Sequence, residues 1–210
     1  MLKLLKNSSL GMTLIELSAV IVVTSIIGLG MTSAAQAVML HYQNDTVRQD
    51  LRQYGNNIMR EITRELHLAQ KVQLDGMNGF SRLKLYKQFQ SLTPDLIISC
   101  REREGIEFDD DVPLNGTLKF PNRGVFRENG QRTIYIKDFN ASYEPSNRPG
   151  MSEFKESFLH LELILSMESD VMDEAGPIDE DHYFYRTLFL GTAYIQMKIT
   201  DSMGSDNNEV

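Results

Sequence analysis

Between Leu17 and Leu40 the chain runs for twenty-four residues without a single charge (LSAVIVVTSIIGLGMTSAAQAVML), and the residue directly before this run is an acid, Glu16. At about 1.5 Å per residue the run makes a helix of roughly 36 Å, enough to cross a hydrocarbon core of about 30 Å. Lys3 and Lys6 precede it, so the positive-inside tendency sets the N-terminus in the cytoplasm and the bulk of the chain outside. The run exceeds the h-region of an ordinary secretory signal, about 7 to 15 residues, although Ala34-Ala35-Gln36-Ala37 offers a weak small-residue cleavage site. Glu16 argues against both a plain signal and a plain anchor. An acid at membrane depth costs about 2.5 to 3.5 kcal/mol even on the mildest scale and normally has a partner.

The residues around that acid, Gly11-Met12-Thr13-Leu14-Ile15-Glu16-Leu17, resemble the prepilin-peptidase recognition motif of type IV pilins and pseudopilins. The resemblance implies that residues 1–11 are a short basic leader ending in Gly11. An inner-membrane aspartic peptidase would cut after Gly11 and methylate the new N-terminus, Met12. Glu16 would then be the fifth residue of the mature chain, with Thr13, Leu14 and Ile15 completing the assembly segment. Met12 stands where phenylalanine is commoner in the family. In a filament, the Glu16 carboxylate of one subunit would neutralise the Met12 ammonium of its neighbour. Each unpaired charge is costly in lipid, so such pairing favours docking and sets axial register.

Gly28 and Gly30 sit in the middle of the run, and each lowers helix stability by up to about 1 kcal/mol relative to alanine. They suit either partial melting or close helix–helix packing. Pilins more often use a proline here, whereas this chain has Ser33 and no proline before Pro94.

The helical pattern continues beyond the membrane segment. Val47, Leu51, Tyr54, Ile58, Ile62, Leu66 and Ala69 recur every three or four residues, with Arg48, Arg52, Arg60, Glu61, Arg64 and Glu65 opposite, which is an amphipathic stripe that packs on its own domain or on a partner helix. Gly76 and Gly79 read as the turn that ends it. After Gly79 the period becomes that of strands, expected at Phe80–Lys87, Pro94–Cys100, Thr117–Phe120, Arg132–Phe139, Ser157–Met167 and Tyr183–Lys198, the last broken near Gly191. Leu159, Leu161, Leu163 and Leu165 face one way, and His160 and Glu162 the other. The expected fold is α+β: a long N-terminal helix, transmembrane and then amphipathic, packed on an antiparallel sheet head, as in pilins. Its parts are a leader (1–11), a membrane or filament-core helix (12–40), a helical extension (41–76), a β-rich head (77–200) and a disordered polar tail (201–210). The segment DTVRQDLRQYGNNIMREITRELHLAQ also resembles PilW-like and J-type minor pilins and pseudopilins.

The net charge of −8 disfavours electrostatic binding of nucleic acid over the whole surface, and no nucleic-acid partner is expected. Cys100 is the single cysteine, so no intramolecular disulfide forms; within Leu96-Ile97-Ile98-Ser99-Cys100 it reads as a small core residue. His41, His67, His160 and His182 show no metal-ligand spacing. Two acidic clusters, Glu107 to Asp111 and Glu168 to Asp181, have the composition of calcium loops but not the EF-hand spacing, and such clusters are usually just solvated loops. No cofactor or metal is expected.

These features point to a non-enzymatic structural subunit, minor in abundance, of a type IV pilus or type II secretion pseudopilus, held in the bacterial inner membrane. Its partners would be the prepilin peptidase, other pilin or pseudopilin subunits and inner-membrane lipid. The alternatives are a DNA-uptake or adhesive pilin whose head binds a ligand, and a membrane-tethered enzyme.

Overall fold

A computed structural model describes residues 13–77, 79–121, 125–126, 130–143, 157–173 and 176–205. The leader, Gly11, Met12 and residues 206–210 lie outside them. The fold is α+β, with one long helix, α1 (Leu14–Leu68), followed by antiparallel strands and a C-terminal helix. Contacts divide the chain into two units, Met1–Gln43 and Asn44–Val210.

In the first unit, α1 is exposed at every residue from Leu14 to Tyr42. Ile26, Leu29 and Val38 are each more than half accessible. This part of α1 is long and apolar enough to cross a membrane, with a mean hydropathy of 2.2 over its most apolar window. An uninterrupted apolar surface of this kind is stable in lipid or against other helices, and not in water.

In the second unit the remainder of α1 is amphipathic. Val47, Leu51, Tyr54, Ile58, Ile62 and Leu66 are all buried, as the three- and four-residue spacing requires. A four-stranded sheet follows in the order β1 (Lys71–Met77), β2 (Phe80–Tyr86), β3 (Leu96–Arg101), β4 (Gly105–Phe108), every pair antiparallel. A two-stranded ribbon, β5 (Val125–Phe126) with β6 (Gly130–Gln131), precedes a three-stranded sheet of β7 (Ile134–Tyr143), β8 (Phe158–Asp173) and β9 (Gly176–Phe189). Helix α2 (Gly191–Ser205) closes the chain. The inner faces of both larger sheets and the α1 stripe share one core, in which Leu159, Leu161, Leu163 and Leu165 are fully buried, as their alternation predicts. The two sheets are tied together by polar contacts: the Ala141 amide donates to Ser81 Oγ at 2.9 Å, and the Tyr143 hydroxyl to the Val72 carbonyl at 2.9 Å.

Five expectations from the sequence are corrected. Helix α1 ends at Leu68 rather than near residue 76, because Lys71–Met77 pairs with Phe80–Tyr86 as a hairpin. Gly79, at φ 86°, belongs to the turn of that hairpin, not to the end of a helix. Around Thr117–Phe120 there is a short 3₁₀ turn, Gly116–Leu118, in place of a strand. The expected strand Tyr183–Lys198 divides at Leu190, and its second half is helix α2, whose residues up to Ser205 also replace the first half of the expected disordered tail. Leu190 and Ala193 anchor α2 in the core, while the Thr192 hydroxyl donates to the His67 carbonyl at the end of α1, 3.4 Å away.

Candidate functional site

The first turn of α1 contains the acid singled out by the sequence. Thr13 precedes the helix, and three residues on stands Glu16. The Thr13 amide and hydroxyl both donate to Glu16 Oε2 at 2.9 Å, and the Glu16 amide donates to Thr13 Oγ1 at 3.3 Å. This reciprocal arrangement is a capping box: threonine and glutamate each satisfy an amide that the helix itself leaves unpaired. The negative charge also lies at the positive end of the helix dipole. Leu14 and Ile15, between the two, project outward and are 88% and 78% exposed. Glu16 therefore has a partner of its own even in a single chain. Thr13, Leu14, Ile15 and Glu16 are brought together in one turn; Gly11 and Met12, the expected cleavage and methylation positions, lie outside the described residues.

In the second unit the sequence-selected groups are not convergent. His160 stands on the outer face of β8, where Nδ1 lies 2.7 Å from the Tyr185 hydroxyl. His182, on β9 opposite Leu165, is buried 3.6 Å from Glu180. His41 and His67 are exposed on α1. Cys100 is half-buried, and burial, aided by the charge of Glu107, pushes its thiol up to about 12. Both effects disfavour the thiolate, which is the reactive form.

The described acids of the two clusters are largely engaged in local structure; the side chains of Asp170, Asp173 and Glu174 lie outside the described residues. Glu107 accepts from Ser99 Oγ at 2.8 Å and pairs with Arg101. Asp109 and Asp110 adopt positive φ, and Asp109 Oδ1 accepts from the Ile97 amide at 2.8 Å, the tight-turn role to which aspartate is suited. In the second cluster, Asp179 accepts from the Tyr135 hydroxyl, Glu180 pairs with Arg48, and Asp181 pairs with Lys137. Among the described residues, no group of three or more His, Cys, Asp or Glu side chains is placed to hold a metal ion.

Two glycines, Gly55 and Gly105, and the long-range partners of Tyr54 are not legible in the sequence, because the groups that meet them are distant in the chain. Gly55 of α1 is buried against β9: a Cβ there would stand 2.3 Å from Phe184 Cζ, so the ring seats directly on helix backbone. Tyr54 is buried with its hydroxyl accepting from the Ile106 amide at 2.9 Å, and its ring meets Phe120 edge-on at 5.2 Å between centroids. Burial raises its phenol above the usual range. Gly105, with φ 119°, opens β4 beside it, and a Cβ there would fall 2.8 Å from the Tyr54 hydroxyl. The one hint in the sequence was a glycine, Gly55, in the middle of a strong helical stripe.

No family model, curated protein or solved structure matches this chain.

Proposed function

We propose that the chain is a prepilin-type structural subunit, minor in abundance, of a type IV pilus or a type II secretion pseudopilus. In this reading it crosses the bacterial inner membrane once with its N-terminus in the cytoplasm. It is cut after Gly11, methylated on Met12, and assembled through Glu16 and its apolar helix. The observation that carries the reading is the Gly11–Glu16 motif at the head of an uncharged run, with Glu16 held by Thr13 in the first helical turn. A carboxylate at the membrane boundary is costly unless partnered. The cap partners it in an isolated subunit, and the α-ammonium of a neighbouring Met12 is the stronger partner once subunits meet, because there charge opposes charge.

Mass analysis of the N-terminus of the mature protein tests this directly. The expected product begins with N-methyl-Met12; a retained leader, or a cut near Ala37, overturns it. A Glu16→Val variant is expected to be processed normally yet to fail to enter the filament, and wild-type incorporation would refute the pairing role.

A further inference from the structure

Strand β9 is the last strand of its sheet and pairs only with β8. Among the described residues, no backbone hydrogen bond joins residues 178–188 to any element other than β8. Its second edge therefore carries a row of N–H and C=O groups open to another chain. Beside that edge lies a groove of about 330 Å³ lined by Asn56 and Met59 of α1 and by Tyr183, Phe184, Tyr185 and Arg186 of β9. Successive strand residues point to opposite faces, so a cleft touching all four of residues 183–186 runs along the strand edge. Its inner limit is fixed by Phe184, which rests on Gly55 and sets the distance between β9 and the helix.

The charge around this groove is opposite to that of the protein. The chain carries −8 overall, but of the acids on α1 and β9 Glu180 is paired with Arg48, Asp181 with Lys137, and Glu61 and Glu65 with Arg64, Asp179 accepts from the Tyr135 hydroxyl, and Asp50 lines a separate cleft with Gln53, Tyr54 and Lys119. Arg52 and Arg60 of α1, and Arg186 of β9, are exposed and make no ion pair among the described residues. Arg52 and Arg60 stand one turn to either side of Asn56 in a single i, i+4 row. Tyr183 and Tyr185 supply the other wall; they are 67% and 63% exposed. Their hydroxyls are nevertheless anchored, Tyr183 on Asp181 at 3.3 Å and Tyr185 on His160 at 2.7 Å. Such rings present apolar surface with little conformational entropy left to lose.

From this geometry we infer that the free edge of β9 receives an extended acidic segment of a partner protein, added to the sheet as a fourth strand. A strand added at the usual spacing of about 4.8 Å would run along Tyr183–Arg186, the β9 residues that line the groove. Its alternate side chains divide between two environments: acids on the helix side meet Arg186, Arg52 and Arg60, and apolar residues on the outer side pack against Tyr183 and Tyr185. Main-chain hydrogen bonds supply affinity and the alternation supplies specificity. The inference stands on the second unit alone and does not depend on the assembly role proposed for Glu16.

The test uses the full-length chain in detergent micelles and a fluorescent peptide of about ten residues alternating glutamate and valine. Binding is read by anisotropy, and the site by hydrogen exchange. The expected result is saturable binding that weakens with salt, about tenfold weaker binding in Arg186→Glu and in Arg52→Glu/Arg60→Glu, and new amide protection confined to residues 183–187. The helix double variant changes exposed side chains only, so loss of binding with an unchanged thermal midpoint separates a recognition effect from misfolding. A lysine–valine peptide binding equally well overturns the proposal, as does absence of binding by the acidic peptide. Binding of a single-stranded DNA oligomer through the same arginines, without protection of the β9 amides, replaces it with a nucleic-acid site.

Discussion

Helix α1 passes through two environments, and the same residue types have different consequences in each. In the first unit, Ile26 and Ile27 are mostly exposed and the glycines Gly28 and Gly30 have nothing within 4 Å of where a Cβ would stand. In the second, Ile58 and Ile62 are fully buried and Gly55 is pressed against an aromatic ring. The first stretch is long and apolar enough to cross a membrane and has no packing partner in its own chain among the described residues. The second is finished by its own sheets. Helix propensity and apolar content do not distinguish them; the partners do.

Substitution of matched residues makes that contrast measurable. The largest effect is expected from Ile58→Ala, which should lower the stability of the second unit by about 2 to 5 kcal/mol in denaturant unfolding, whereas Ile26→Ala should leave that transition where it is. Equal shifts from the two would erase the distinction between the units. Next comes Gly55→Ala. In an open helix the change stabilises by up to about 1 kcal/mol; here the added methyl meets Phe184, and overpacking should cost about 1 to 3 kcal/mol. Gly28→Ala, with free space around it, should not show that loss, and a stabilised Gly55→Ala would mean that the ring moves aside without cost. Tyr54→Phe keeps the ring against Phe120 but strands the Ile106 amide, for an expected loss of about 1 to 3 kcal/mol in the same unfolding measurement.

The smallest effect depends on pH. Burial holds the His182 imidazole below its ordinary pKa, with Arg52 and Arg48 reinforcing the shift and Glu180 and Asp181 opposing it. The folded unit thus keeps a neutral ring while the unfolded chain takes up a proton near pH 6.5. The stability this group contributes is complete above about pH 6.5 and is lost as the pH falls towards the lower folded value. His182→Gln should flatten the decline of thermal midpoint between about pH 7 and 5.5. An unchanged slope would assign the decline to other groups.

How far the fold was legible followed the range of the interactions that decide it. The uncharged run and the α1 stripe rest on contacts within a few residues, and they were readable. Leucine alternation in β8 was equally plain, because a strand buried on one face repeats every second residue. The end of α1 was misplaced because Gln70-Lys71-Val72-Gln73-Leu74 permits either period, and pairing of Lys71 with Tyr86 settles it. The first half of helix α2 falls in an expected strand for a related reason. Tyr194 and Ile195 have strong β-propensity, which burial of Leu190 and Ala193 overrides. Within the candidate site the acid was visible at once, and its cap is a local Thr-x-x-Glu spacing, but the groove beside β9 was not. Asn56, Met59, Tyr183 and Arg186 come together only when a helix and a strand more than a hundred residues apart are laid side by side.

The seat of Phe184 on Gly55 also has a mechanical side. Moving α1 along the sheet by one turn, about 5.4 Å, would bring Leu51 or Met59 under the ring, and neither leaves a gap for it. The helix is thus keyed to β9 at one longitudinal position, like a shaft held by a detent. Pull or push along this part of α1 passes into the three-stranded sheet through shape, and slippage requires the ring to lift out first.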